Sequence, residues 1–298
     1  MSKILFLNVD PKRNLAIPIF INLVRKYLNP NNFKSKYFIQ GKPVVKLSFT
    51  HLCLHLFSQI FKYIKSLKSY NPDIIHINPS FRKAALLRDI IYAHVSYLMG
   101  FKVLFFIHGW DDKLYYRFTN NFLLKSILVG TLNKSYKTLV LAEDYNKKLL
   151  DLGVKKERLT VTTIAVDKDF FYSSTTSLPS IPIVLFCGSL IKEKGVFEMM
   201  SAIKILNERK LKFIFIVMGK GPELNALKKF CFENDLTNVL FVGFVKGTKR
   251  AFYFQKSHIL LLPSYSEGFP LVCAEAMASS MALITTRVGG LQDIMIDE

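Results

Sequence analysis

Two glutamates in different local settings stand eight residues apart in the segment PSYSEGFPLVCAEAMA, residues 263–278. Glu267 lies in a Ser-Glu-Gly loop, and Glu275 falls in a helical pattern that begins at Leu271. The Gly268-Phe269-Pro270 insert between them serves no ordinary need of a helix start. A loop acid and a helix acid at this spacing are not an i,i+4 pair, so they would reach one ligand from two sides. Carboxylates accept charge-assisted hydrogen bonds from paired hydroxyls, worth about 1.5–3 kcal/mol each. A sugar ring and a ribose both carry such diols. The plain alternative is two surface acids.

Three further segments place ligand-type residues where a strand gives way to a helix. In CGSLIKEKG, residues 187–195, a strand ends at Gly188 and Ser189, and Lys194-Gly195 opens the next helix. Helix N-termini attract phosphate, and Lys194 adds a cation; the alternative is a solvated turn. In GKGPE, residues 219–223, Gly219 and Gly221 allow close backbone approach or a positive-φ turn, and Pro222 suits a first helical turn. The alternative is a routine turn. Val288-Gly289-Gly290, with Asp293 beyond, is a fourth segment of this kind.

The elements that must position these residues alternate strand and helix. Strands are expected at 3–9, 73–78, 102–107 and 138–141, with helices at 17–28, 84–99 and 143–152 between or after them. The polar stretch SSTTSLPSI, residues 173–181, reads as a linker. The alternation then restarts, with strands at 183–187, 212–218, 239–242, 258–262 and 282–285 and helices at 195–207, 222–234 and 271–280. Short apolar strands separated by helices imply parallel βαβ units. The fold class is therefore α/β, as two doubly wound domains: 1–172 and, after the linker, 182–298. Ligands of such sheets bind beyond the carboxyl ends of the strands.

The 298 residues carry a net charge of +19, unevenly spread. Residues 1–172 hold 27 Lys and Arg against 11 Asp and Glu, and residues 173–298 hold 14 against 11. A basic first half suits an anionic partner such as a membrane surface or a phosphorylated substrate; a lysine-rich codon bias is the competing account. No helix-turn-helix, zinc or RNA-binding signature accompanies the charge, so nucleic acid is not expected. Residues 47–70 have apolar positions at helical spacing (Leu47, Leu54, Phe57, Phe61, Ile64, Leu67) and end in Lys62, Lys65 and Lys68. Such a helix lies on an anionic membrane or packs on the sheet, and packing is the expectation. Cys53, Cys187, Cys231 and Cys273 form no CxxC pair and read as reduced core residues of a cytoplasmic protein. The apolar run at the N-terminus reads as a first strand, not a signal peptide.

Taken in order, CGSLIKEKG, GKGPE, NVLFVGFV, LLPSYSEGFPLVCAEAMASSMALITT and VGGLQDI resemble glycosyltransferase family 4, the retaining enzymes of GT-B fold. The resemblance covers residues 183–295 closely, and the first half more loosely through NPDIIHIN and His108-Gly109-Trp110-Asp111. It implies two Rossmann-like domains facing a cleft and transfer of a hexose from a UDP- or GDP-sugar to a glycan or lipid-linked acceptor. The expected setting is cell-surface polysaccharide synthesis at the inner face of the plasma membrane. It implies that Lys194 neutralises the donor diphosphate and that Glu267 faces the sugar with the N–H groups of Gly268 and Phe269. Glu275 would hold the ribose and His108 would line the sugar side. Gly188, Ser189, Gly219, Gly221, Pro222, Pro270 and Leu271 complete the donor lining. No metal or cofactor is implied, and Asp167-Lys168-Asp169 reads as a structural turn. The chain departs from the family at Ser189, where an Arg usually adds a second phosphate cation. It departs at Ile164-Ala165, usually Asn-Gly, and at Asp10-Pro11-Lys12-Arg13, where a Gly-rich loop usually stands. Family members usually continue for some tens of residues past Glu298, so an incomplete second domain is expected. A non-catalytic chain that retains nucleotide-sugar binding is the alternative function.

Overall fold

Apolar runs too short for helices become parallel strands, and the amphipathic stretches between them become the crossovers. The computed structural model describes residues 1–7, 16–28, 31–39, 49–79, 83–172 and 180–295. The chain divides into two units, Met1–Thr163 and Ile164–Glu298.

The first unit runs β1 (Ser2–Leu7), α1 (Ala16–Tyr27), β2 (Phe33–Phe38), α2 (Phe49–Tyr70), β3 (Ile74–Ile77), α3 (Lys83–Leu98) and β4 (Lys102–Ile107). It continues through α4 (Asp112–Thr119), α5 (Phe122–Lys134), β5 (Lys137–Val140), α6 (Glu143–Leu152) and β6 (Leu159–Val161). The six strands are parallel, in the order β2-β1-β3-β4-β5-β6. Alternation along β1 divides the faces: Leu5 and Leu7 join the core under α2 and α3, while Phe6 meets Tyr37 and His76 on the other side. The sequence pattern missed β2, because FKSKYF is an edge strand with mostly exposed side chains and no apolar run. It also missed α4 and α5, whose starts are set by Asp111 and Asn121; each side chain accepts from a backbone N–H three residues on.

Helix α2 packs on the sheet through Tyr63 and Leu67, both fully buried. Leu54, Phe57 and Phe61, which the pattern had grouped with Leu67, point outward instead. Leu47 lies outside the described residues. No helix among the described residues is long and apolar enough to cross a membrane.

The second unit runs α7 (Lys168–Phe171), β7 (Ile183–Cys187), α8 (Val196–Glu208), β8 (Ile214–Met218), α9 (Leu224–Glu233) and β9 (Val239–Gly243). Helix α10 (Thr248–Lys256), β10 (Ile259–Leu262), α11 (Leu271–Ala278) and β11 (Ala282–Thr285) follow. Its parallel sheet has the order β11-β10-β7-β8-β9. The chain leaves β7 toward β8 and β9, then returns to lay β10 on the other side of β7. This is a doubly wound sheet with its switch point between β7 and β10.

The two units divide ahead of the expected 173–181 linker, of which 173–179 lie outside the described residues. The reason is packing. Phe171 is buried in the core of the second unit against Phe254, and Ser279 Oγ donates to its carbonyl at 2.9 Å. Gln255 Nε2 donates to the Phe170 carbonyl at 3.2 Å. Asp167 and Asp169 accordingly belong to a short helical turn, Asp167 preceding it and its carbonyl accepting from Phe170 N–H. Phe171→Ala is expected to destabilise the second unit by about 3–5 kcal/mol, the usual cost of a phenylalanine cavity. Denaturant unfolding followed by hydrogen exchange in each unit checks this; equal loss in the first unit would contradict the assignment.

Candidate functional site

The loops after β7, β8, β10 and β11 meet at the carboxyl end of the second sheet, around the switch point. They are joined backbone to backbone. Leu190 N–H donates to Lys220 O at 3.0 Å, Tyr265 N–H to Glu193 O at 3.0 Å, and Gly290 N–H to Gly268 O at 2.6 Å. Gly188 N–H donates to Met218 O at 3.0 Å, closing the β7 and β8 ends. Gly219 and Gly221 serve close approach, not a positive-φ turn. A Cβ on Gly219 would lie 1.9 Å from Gly188 O, and one on Gly221 would lie 2.2 Å from Leu190 O. Pro222 sits in the turn ahead of α9, which begins two residues later, at Leu224.

Within this frame each glutamate has its own cation. Lys194 ends a 3-10 turn and is followed by Gly195 in the left-handed region, φ 63°, which starts α8. Its Nζ donates to Glu267 Oε1 at 2.5 Å, and Ser264 Oγ donates to the same oxygen at 2.8 Å. The pair is mostly shielded, the side chains being 22% and 12% exposed. Glu267 is carried by the loop after β10 and Lys194 by the loop after β7, so the switch point itself brings them together. Ser189 lies two residues past the end of β7, its carbonyl accepting from Ile191 N–H at 3.0 Å. Gly268 and Phe269 are half-buried in the loop that leads to α11, and the buried Pro270 and Leu271 fix its start.

Glu275 lies one turn into α11 and is 2% exposed. Arg250, from α10, grips it with both arms: Nε donates to Oε1 at 3.1 Å, and Nη2 donates to Oε2. Arg250 Nη1 also reaches Cys187 Sγ at 3.1 Å, at the last residue of β7. Burial raises the Glu275 carboxyl above the usual carboxylate range, and Arg250 pulls against that shift. Burial likewise opposes the Arg250 cation, but Cys187 and Glu275 outweigh it and hold the guanidinium charged. Cys273 is buried between the two glutamates. Its thiol is pushed up to about 12, first by burial and then by Glu267, with Glu275 adding to the effect and Lys194 opposing it. Both carboxylates therefore act on one small region.

The sequence reading missed Arg250. In its segment, TKRAFYFQK, Ala251 and Phe254 mark a buried stripe and Arg250 adjoins it. The signal was a lone Arg next to a core-facing pair. Ser189 brings no charge to the end of β7; Arg250 brings one there from α10.

In the first unit, His108 follows β4 at the carboxyl end of that sheet. Its ring lies 3.9 Å from that of Phe106, centroid to centroid, and edge-on to Phe20. His108 Nε2 donates to Asn78 Oδ1 at 2.9 Å, and Asn78 Nδ2 donates to His76 Nδ1 at 3.2 Å. A carboxamide oxygen only accepts, so neutral His108 carries its proton on Nε2 and leaves Nδ1 as an acceptor. Burial lowers the His76 pKa to about 4; burial and then His76 lower that of His108 to about 3.

Residues 173–298 match the family described as Glycosyl transferases group 1. In its second unit the chain is similar to that family. It is 27% identical over 235 residues to an uncharacterised glycosyltransferase of Methanocaldococcus jannaschii, covering 78% of this chain and 60% of that protein. It is 24% identical to a putative teichuronic acid biosynthesis glycosyltransferase of Bacillus subtilis, covering 80% of this chain and 58% of that one. The chain thus spans about three fifths of the length of these relatives. The Anabaena protein HepE, solved with UDP and glucose, superposes with a TM-score of 0.71 at 15% identity, covering 100% of this chain and 84% of its own. The fold is GT-B.

Two outcomes follow from these charges. Arg250→Met leaves the Glu275 carboxylate buried and unpartnered, costing about 3–5 kcal/mol near neutral pH. In that variant the folded carboxyl pKa lies further above its unfolded value of about 4.3. The folded state then binds more protons, and stability falls as pH rises through the window between the two. Thermal melts at pH 5 and pH 8 should show the larger deficit at pH 8; a deficit independent of pH would contradict the pairing. His76 and His108 should stay neutral from pH 7 down to pH 5, whereas an unperturbed imidazole titrates near 6.5. Imidazole NMR titration reads this directly.

Proposed function

We propose that the chain is a retaining glycosyltransferase that moves a hexose from a UDP- or GDP-sugar to a glycan or lipid-linked acceptor. Its setting would be polysaccharide synthesis at the inner face of the plasma membrane. The observation that carries this reading is the pair of cation-held carboxylates, Glu267 with Lys194 and Glu275 with Arg250, at the switch point of a GT-B sheet. The teichuronic acid relative and the UDP-bound neighbour support the acceptor class and the donor class respectively.

Under this reading Glu275 accepts from the two ribose hydroxyls. Arg250 takes one lone pair of each oxygen, which leaves the others for the diol. Glu267 accepts from a sugar hydroxyl. The Lys194 ammonium has three N–H donors; one is on Glu267, and the others serve the diphosphate. As the bond from sugar to phosphate lengthens, negative charge grows on the leaving diphosphate, and Lys194 meets it without reorganising. The backbone N–H groups of Gly268 and Phe269 serve the sugar side with Glu267, and Gly219, Gly221 and Ser189 line the nucleotide. His108 is the first unit's contribution to the sugar. No side chain attacks the sugar; the departing diphosphate takes the acceptor's proton. Catalysis is then positioning and charge stabilisation.

Calorimetry with UDP and GDP tests the donor site. Glu275→Ala should weaken binding of the preferred nucleotide by roughly 10- to 150-fold, the loss of one charge-assisted hydrogen bond of about 1.5–3 kcal/mol. Glu267→Ala should leave free nucleotide binding nearly intact and weaken the nucleotide-sugar. Unchanged nucleotide affinity in Glu275→Ala would overturn the ribose role. Binding without turnover across UDP- and GDP-sugars would select the non-catalytic alternative.

A further inference from the structure

Helix α2 has two apolar faces, and one of them packs on the sheet. Tyr63 and Leu67 are buried against the sheet, and Tyr63 Oη shares a 2.7 Å hydrogen bond with Ser96 Oγ of α3. On the opposite side Leu54, Phe57 and Phe61 are 67%, 71% and 71% exposed. At 100° per residue, these three and Lys65 and Lys68 fall within a sector of about 80°. The outward face is therefore apolar in its first turns and cationic in its last, with Lys62 on its flank. Both helices cross between parallel strands of one sheet and run the same way. The Tyr63–Ser96 bond sets residues 54–61 of α2 level with residues 87–94 of α3, where Leu87 and Ile91 are also exposed. Lys36, on the face of β2 that carries Phe38 toward Tyr63, lies over the Tyr70 ring at the end of α2.

The surrounding sequence fixes the kind of partner. Between Asp10 and Asp73 the chain has eleven Lys and Arg residues and no Asp or Glu. Exposed aromatic and leucine side chains beside Lys62, Lys65 and Lys68, with Lys36 at the helix end, match the two layers of an anionic bilayer surface, acyl boundary and charged headgroups. A second copy of this face would set lysines against lysines or against the phenylalanines.

We infer that the α2–α3 face docks on an anionic lipid bilayer. Leu54, Phe57 and Phe61 enter the interface, and Lys62, Lys65 and Lys68 contact lipid phosphates. The use of such docking, reaching a lipid-linked acceptor, rests on the function proposed above; the docking itself does not.

Sedimentation with vesicles tests it, using the full chain without donor or acceptor. One set of vesicles is pure phosphatidylcholine and the other contains phosphatidylglycerol at about one third of the lipid. The chain should bind the anionic vesicles and not the neutral ones, and binding should weaken as salt rises. Lys62→Gln with Lys65→Gln and Lys68→Gln should weaken it about 100-fold, at roughly fivefold per lysine. Phe57→Glu with Phe61→Glu should abolish it, with thermal unfolding unchanged because both positions are exposed. Equal binding to neutral vesicles, no binding at all, or full binding by either variant would overturn the inference. So would a dimer that dissociates in the Phe57→Glu, Phe61→Glu variant, because the face would then belong to a second copy. A chain that fails the UDP test yet binds vesicles loses the proposed function and keeps this one.

Discussion

A carboxylate shielded from water is driven toward the neutral acid unless a cation holds it charged. The second unit meets this constraint twice. Lys194 comes to Glu267 from the neighbouring loop, and Arg250 comes to Glu275 from the neighbouring helix. The two solutions differ in depth. The lysine pair retains some solvent access, so its ammonium can turn toward an arriving anion. The arginine pair is almost sealed, and its forked geometry fixes a carboxylate plane. Everything else near the switch point keeps these four groups in register. The backbone-to-backbone joints among the loops leave no room for a side chain at Gly195, Gly219, Gly221 or Gly289.

The first unit handles polarity in the opposite way. His76, Asn78 and His108 are linked at the carboxyl ends of β3 and β4 and kept uncharged by burial. A neutral imidazole with a fixed tautomer offers one defined acceptor and adds no net charge. One unit thus presents paired charge and the other oriented dipoles, and both do so at the carboxyl end of a parallel sheet.

Much of this was legible in the residues, and the gaps have physical causes. Strands buried on both faces were plain as apolar runs, and Lys194 and Glu267 stand out because loop chemistry interrupts those runs. β2 was hidden because an edge strand need not be apolar. The contact division after Thr163 falls ahead of the expected linker because Phe171 already packs in the second unit, which linker composition does not reveal. Helix α2 showed one apolar stripe by count and two by burial, a distinction that needs the sheet to say which side is inward. Arg250 was missed because its partner is 25 residues away and is reached only through the fold.

The switch point has a consequence for how the protein is made. Lys194 and Glu267 are 73 positions apart, and they meet only when β10 lies down on the free side of β7. Three strands and their helices can pair in order as they leave the ribosome, but the chain must then reverse direction across the sheet. Until it does, Lys194 is an ordinary solvated cation and β7 is an open edge. Within this sheet the Lys194–Glu267 pair forms only once β10 is in place, and the same reversal that brings it together also closes that edge of β7 against other nascent chains.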